Sequence, residues 1–253
     1  MYTIFITGTA GSGKSLLTSK LLQWYKDRNL FAIGLNLDPG TVDLPYEPDV
    51  DVRNYIDINE LMSSYQLGPN GALVMASDLI ATRLDEIQNE VNSLNADYVL
   101  VDTPGQIELF AFRESGPYFV SHFQSDNKAT IFIFDGMLVS SPINYVSISL
   151  LASSVKLRLK TPQVSVLTKR DLIIEKLRDV LGWSSASTVS LESALDSEKN
   201  SEYSFLCKEL VKSLSTGGFL EGVIAVSSLT MNGIVTLSAA LSRILNQGEE
   251  ANG

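Results

Sequence analysis

The sequence predicts an α/β fold with a doubly wound, mainly parallel sheet, and three observations carry that reading. Short apolar runs alternate with longer segments of helical period along most of the chain. Runs such as Tyr98-Val99-Leu100-Val101 and Ala129 to Phe134 have the length of buried strands and are apolar on both faces. A glycine-rich loop stands directly between the first run and the first helical segment, and folds of this class bind ligands beyond the carboxyl ends of their strands. Buried strands separated by helices imply right-handed crossovers with helices on each side of the sheet.

Taken in order, the apolar runs place strands near 2–7, 31–37, 97–102, 128–134, 163–168 and 222–227. The periodic segments between them place helices near 14–28, 72–94, 116–125, 143–160, 171–181, 198–214 and 231–247. No repeat and no low-complexity linker divides the chain, so residues 1–253 are expected to form a single domain. Within it, 184–216 is expected to be a helical insertion, solvated over its Ser-rich and acidic start Ser184 to Asn200, and 248–253 a flexible tail.

Composition narrows the chemistry. The 253 residues carry 19 Lys and Arg against 29 Asp and Glu, a formal net charge of -10, which gives no general attraction for nucleic acid or an anionic membrane surface. Cys207 is the one cysteine and His122 the one histidine, which removes internal disulfides, thiolate metal clusters and multi-histidine zinc sites. Catalysis must then rest on carboxylates, amides, lysine or a hard metal ion. No run reaches the roughly 20 apolar residues of a membrane span, and residues 1–7 lack a basic leader. A cytoplasmic protein without membrane or direct nucleic-acid partners is expected.

Gly8-Thr9-Ala10-Gly11-Ser12-Gly13-Lys14-Ser15 matches G-x-x-x-x-G-K-[ST] between a strand and a helix. In such a loop successive N–H groups of residues including Gly8, Ala10, Gly11, Ser12 and Gly13 cradle phosphates. Lys14 reaches the β/γ oxygens, and the Ser15 hydroxyl ligates Mg²⁺. The fold class is thereby refined to a P-loop NTPase with helical insertions. Asp102-Thr103-Pro104-Gly105-Gln106 closes the strand near 97–102, which puts Asp102 at the same edge as an acidic Mg²⁺ partner. The Gly105 N–H can sense a γ-phosphate, making 103 to about 115 a candidate switch. Gln106 can orient the attacking water, with Glu108 holding that amide or the water. Asp38-Pro39-Gly40 follows the second strand, and Asp38 can join the Mg²⁺ shell, position water, or simply form a turn. Thr168-Lys169-Arg170-Asp171 resembles [NT]-K-x-D: Asp171 accepts two hydrogen bonds from guanine, and the Lys169 stem packs over the base. Ser228, in Ser227-Ser228 after the last strand, can offer an N–H to the guanine carbonyl or be an ordinary turn residue. Leu67-Gly68-Pro69-Asn70-Gly71 reads from composition as a tight turn.

Together these residues resemble the GPN-loop GTPases, in their compact archaeal form. Besides the motifs above, the resemblance rests on Asn36-Leu37-Asp38-Pro39, Leu44-Pro45-Tyr46, Gly68-Pro69-Asn70-Gly71 and Ile107-Glu108 in the family's order, over nearly the whole chain. The resemblance implies a homodimer or pseudo-dimer in which the Gly68, Pro69, Asn70 loop reaches the partner's nucleotide, Asn70 standing where other GTPases use an arginine finger. It implies a Mg²⁺-dependent switch hydrolysing GTP to GDP, with protein partners; eukaryotic members of the family assist assembly of RNA polymerase, which makes that one candidate role. Thr168 departs from the commoner asparagine, leaving base selection to Asp171. Thr9 stands where partitioning ATPases place a signature lysine, which argues against that branch.

Two other classes compete. A small-molecule kinase needs an acceptor pocket and an arginine-rich lid, and no segment supplies them; a GTP-binding scaffold without turnover does not need Gln106 and Glu108. Arg53, Arg83 and Arg113 are expected in structural or solvated ion pairs. His122 is expected as a half-buried packing residue, Cys207 as an inert thiol, and Trp24 and Trp183 in packing.

Overall fold

A computed structural model describes residues 1–185, 187–198, 201–220 and 222–246, with the backbone alone at Ser201. The tail expected at 248–253 lies outside the described residues. The chain runs β1 (Tyr2–Gly8), α1 (Lys14–Lys26), β2 (Ala32–Asn36), β3 (Val50–Asp51), α2 (Ile58–Ser64), α3 (Pro69–Thr82), α4 (Leu84–Leu94), β4 (Tyr98–Asp102), α5 (Ser115–His122), β5 (Asn127–Asp135), α6 (Pro142–Leu159), β6 (Gln163–Thr168), α7 (Leu177–Trp183), α8 (Val189–Asp196), α9 (Ser201–Thr216), β7 (Ile224–Ala225) and α10 (Ile234–Asn246). The seven strands form one sheet in the order β3-β2-β4-β1-β5-β6-β7. Every pairing is parallel, as the doubly apolar strands predict.

Side chains alternate between two cores. Ile4, Ile6, Leu100, Ile131 and Ile133 pack against Leu17, Leu21 and Tyr25 of α1 and Leu237, Leu241 and Leu245 of α10. Phe5, Val99, Val101, Phe132 and Phe134 face the opposite layer, with Ala76, Ile87, Phe119 and Tyr145 of α3 to α6. Sealing both faces in this way leaves the strand ends as the exposed backbone of the sheet. The carboxyl end of the central β1 is where the glycine-rich loop emerges.

Three local expectations need correction. The helix near 72–94 is two helices, α3 and α4, broken at Arg83, whose φ of -99° and ψ of 5° end one and begin the other. Asp85 and Glu86 sit in the first turn of α4, where negative charge favours a new start. The expected turn at Gly68-Pro69-Asn70 is the start of α3, with Gly68 as its cap and Pro69 in its first turn, a position proline suits as well as it suits a turn. Helix α2 and the two-residue β3 were not expected. Asp57 caps α2 by accepting the Asn59 N–H at 2.7 Å, and Asp57-Ile58-Asn59-Glu60 has the spacing of a capping box. The stretch 184–216 carries α8 and α9, and its Leu191 and Leu195 are buried in the second core rather than solvated.

Candidate nucleotide site

The glycine-rich loop is shaped by positions that exclude side chains. Gly8 leaves β1 at φ +155°, and a Cβ there would come within 2.9 Å of Ile133 and of the Ser12 hydroxyl. Gly13, at φ +94°, turns the chain into α1, a conformation that costs an L-residue what it does not cost glycine. Helix α1 then begins without a capping side chain and without an acidic residue in its first turn. Its orphan N–H groups and positive end are left for an anion. The loop's tip, Ala10 and Gly11, is exposed, whereas Ser12 and Lys14 are buried.

Lys14 and Asp38 hold Gly105 from both sides. The Lys14 ammonium donates to the carbonyls of Gly8 at 3.0 Å, Thr9 at 2.9 Å and Gly105 at 3.3 Å. Burial pushes this ammonium below its usual pKa, against the pull of Asp102 and Asp38. Asp38 accepts the Gly40 N–H at 2.9 Å on one oxygen and the Gly105 N–H at 2.9 Å on the other. The carboxylate for which the sequence left metal, water or a turn open is thus occupied by backbone, forming that turn at Gly40, and it holds the same N–H expected to meet a γ-phosphate. Gly105 joins two functions that the sequence lists separately.

Asp102 lies at the end of β4, 1% exposed. Leu37 N–H binds its carbonyl at 2.8 Å, and Thr103 Oγ1 donates to Ile6 O at 2.7 Å, so neighbouring strands fix its backbone. Burial raises its carboxyl pKa to about 6, against the nearby Ser15 hydroxyl, the Lys14 charge and the Tyr46 hydroxyl. Tyr46 donates its hydroxyl to Oδ2 at 3.3 Å, and burial beside this carboxylate pushes the phenol far above its usual pKa. The other oxygen, Oδ1, is buried without a hydrogen-bond partner. A hard oxygen-seeking cation fits that donor set: Ser15 Oγ and an orphaned carboxylate oxygen beside a phosphate loop. No three His, Cys, Asp or Glu side chains converge anywhere among the described residues, so a cation here would draw on Ser15, Asp102 and its phosphates.

On the base side, Thr168 is buried and donates to Ser12 O at 2.8 Å, tying the end of β6 to the phosphate loop. Lys169, at φ 57°, donates to Gly11 O at 2.8 Å and to Asp135 Oδ2 at 2.7 Å. Asp135, which ends β5, had no place in the sequence reading; its position at a strand's carboxyl end was the available signal. Asp171 follows in a short 3-10 turn at intermediate exposure, and Ser228 is 8% exposed just past β7. All four base-side positions stand at the edge that carries the loop.

The residues assigned to water form a different surface. Gln106 and Glu108 are exposed, as are Gly68, Pro69 and Asn70. Gln106 and Glu108, with Thr9, Ala10, Val74, Phe112 and Arg113, line a cleft of about 610 Å³ between the phosphate loop and α3. A cleft of similar size, about 630 Å³, lies at the opposite end of the sheet by Met1, Asn95 and Gln124. Its ammonium is already paired with Asp126, and it carries none of the motif residues. Arg53, Arg83 and Arg113 pair with Asp51, Glu86 and Asp78. His122 is exposed and stacked on Tyr118 at 4.0 Å rather than half-buried. Cys207 is buried and its thiol pKa raised by burial. Trp183 packs edge-on to Tyr145, while Trp24 lies under the Arg28 guanidinium.

Comparison with known proteins converges on one group. A family profile described as "conserved hypothetical ATP binding protein" matches residues 6–247. A GPN-loop GTPase of Pyrococcus abyssi is 35% identical over 181 residues, covering 71% of each chain. A GPN-loop GTPase of Arabidopsis thaliana is 34% identical over 236 residues, covering 90% of this chain and 61% of its own. GPN-loop GTPase 1 of Saccharomyces cerevisiae is 34% identical over 173 residues, 67% of this chain and 45% of its own. The chain therefore spans less than two thirds of the plant and yeast relatives. The crystal structure of a GTPase from P. abyssi in apo form superposes with a TM-score of 0.83 at 29% identity, covering 98% of both chains.

Proposed function

Because the chain belongs to the GPN-loop GTPase family, we propose that it is a cytosolic, Mg²⁺-dependent GTPase acting as a homodimeric switch. The observation that carries the reading is the convergence, at one sheet edge, of the uncapped start of α1, buried Lys14, the orphaned oxygen of Asp102 and the Asp171 turn. Ser15 and Asp102 would hold Mg²⁺. Bound there, the cation would neutralise charge on the β- and γ-phosphate oxygens. Lys14 would exchange loop carbonyls for phosphate oxygens, and the Gly105 N–H would leave Asp38 for the γ-phosphate. Gln106, steadied by Glu108, would orient a water in line with the γ-phosphorus; the bond to the β–γ bridging oxygen breaks, and GDP and phosphate leave. Freed from Gly105, Asp38 could accept a hydrogen bond from that water.

Asn70 is the residue that asks for a second copy. It occupies the first turn of α3, a helix start with no side-chain cap and no acid, so amide and positive helix end point the same way chemically, toward an anion. It is exposed, one helical turn before Val74, which lines the cleft together with Gln106. A partner's Asn70 seated in that cleft would complete each site. A role in assembling other proteins, RNA polymerase among them, would work through protein contacts.

The deciding experiment is phosphate release from GTP and from ATP with and without Mg²⁺, alongside solution mass with GDP and with a non-hydrolysable GTP analogue. Mg²⁺-dependent release from GTP alone, with a nucleotide-dependent dimer, is expected. Faster release from ATP would favour the adenine reading that the family profile's description carries, and a monomer in every state would remove the trans role of Asn70.

A further inference from the structure

The segment between β2 and β3 reaches the metal aspartate through one side chain. The Asp102 backbone is fixed by both neighbouring strands, so what remains free is the direction of its carboxylate. Of its two oxygens, one is bound by Tyr46 and the other is buried without a partner. Tyr46 is itself held with unusual closeness. Its ring lies over Gly34, where an added Cβ would come within 2.9 Å of a ring carbon. Ser19 Oγ donates to the adjoining Pro45 carbonyl at 3.0 Å. Asp49 brackets Gly34, accepting its N–H at 2.8 Å and donating to its carbonyl at 2.9 Å. A tyrosine kept only for packing would need none of its hydroxyl geometry, and a carboxylate left to rotate in a buried site would present either oxygen.

We propose that Tyr46 is a positioning residue for the Mg²⁺ site: by holding Oδ2 it presents Oδ1 of Asp102 toward the cation, and it thereby reports the placement of segment 41–49 to the metal. The proposal rests on the Mg²⁺-GTP reading above. Partners that orient a metal's ligands typically govern affinity by 10–100-fold, which sets the scale of the test.

The test follows the affinity of a fluorescent GDP for the full chain as Mg²⁺ is titrated, and again with EDTA. Tyr46→Phe should leave the EDTA affinity unchanged and raise the Mg²⁺ concentration for half-maximal tightening roughly tenfold. Gly34→Ala keeps the hydroxyl but displaces the ring, and it should shift the midpoint in the same direction; it decides the matter if Tyr46→Phe loses its thermal transition. An unshifted midpoint in both variants overturns the role of Tyr46 while leaving the metal site standing. An equal weakening with and without Mg²⁺ overturns it in favour of packing. Wild-type protein indifferent to Mg²⁺ overturns the metal reading and this proposal with it.

Discussion

The two halves of the nucleotide site are built to different degrees. On the phosphate side, Lys14, Asp38, Gly105, Thr168 and Lys169 are each engaged with another part of the protein. On the water side, Gln106, Glu108 and Asn70 are exposed and make no side-chain hydrogen bond to a described residue. A site that binds can be organised within one chain, because strand ends and a helix start supply fixed donors. A site that positions water needs walls on every side, and here one wall is open. The contrast separates an organised half, built from strand ends and a helix start, from an exposed one.

The largest effect should come from the organised half. Lys14→Ala is expected to weaken GTP binding by about 100-fold or more, since it removes a charge-assisted contact in a buried place; calorimetry reads it. Gln106→Ala should lower single-turnover hydrolysis by about 100-fold with GTP affinity within about twofold. If affinity fell as far as turnover, the two halves would not be separable. Asn70→Ala should also lose turnover with little loss of binding, and mixing it with Lys14→Ala should restore part of it. In a mixed dimer one subunit would bind GTP while the other lent Asn70. No recovery on mixing would confine Asn70 to its own chain.

A smaller effect concerns the base. Asp171→Asn should reduce the preference for GTP over xanthosine triphosphate by about tenfold, the scale of one hydrogen bond to a charged group, read by competition binding.

A separate effect, on stability rather than on binding or turnover, is confined to the protein without nucleotide or metal. Burial raises the Asp102 pKa from 3.8 to about 6, so the fold favours the neutral acid. That stabilisation is present below pH 4 and is lost as pH rises through 6. Asp102→Asn should therefore be more stable than wild type at pH 7.5, by about 2–3 kcal/mol, with the advantage vanishing near pH 4. Thermal melts at the two pH values check it; an advantage that persists at low pH would assign it to packing.

What could be read from the sequence follows from how far apart the partners lie. The phosphate loop is legible because eight consecutive residues define it and its glycines answer a local backbone demand. The strands are legible because burial on both faces leaves an unbroken apolar run. The start of α3 was not, because Gly-Pro-Asn serves a turn and a proline-led helix start equally. The break at Arg83 was hidden by periodicity that continues across it. Tyr46 and Asp102 are 56 residues apart, and Asp135 meets Lys169 across 34; no local pattern announces such pairs. The clamp on Gly105 was invisible for a further reason: each of its residues already had another job.

That clamp alters what it means for a phosphate to arrive. The ammonium of Lys14 and the N–H of Gly105 already have acceptors in the resting protein, so binding is a swap of partners. On the Lys14 side neutral carbonyls are given up for charged phosphate oxygens, so the gain is that of a charged acceptor over a neutral one. A polypeptide with an excess of negative charge can therefore shed one anion and receive the next while Lys14 and the Gly105 N–H keep an acceptor throughout.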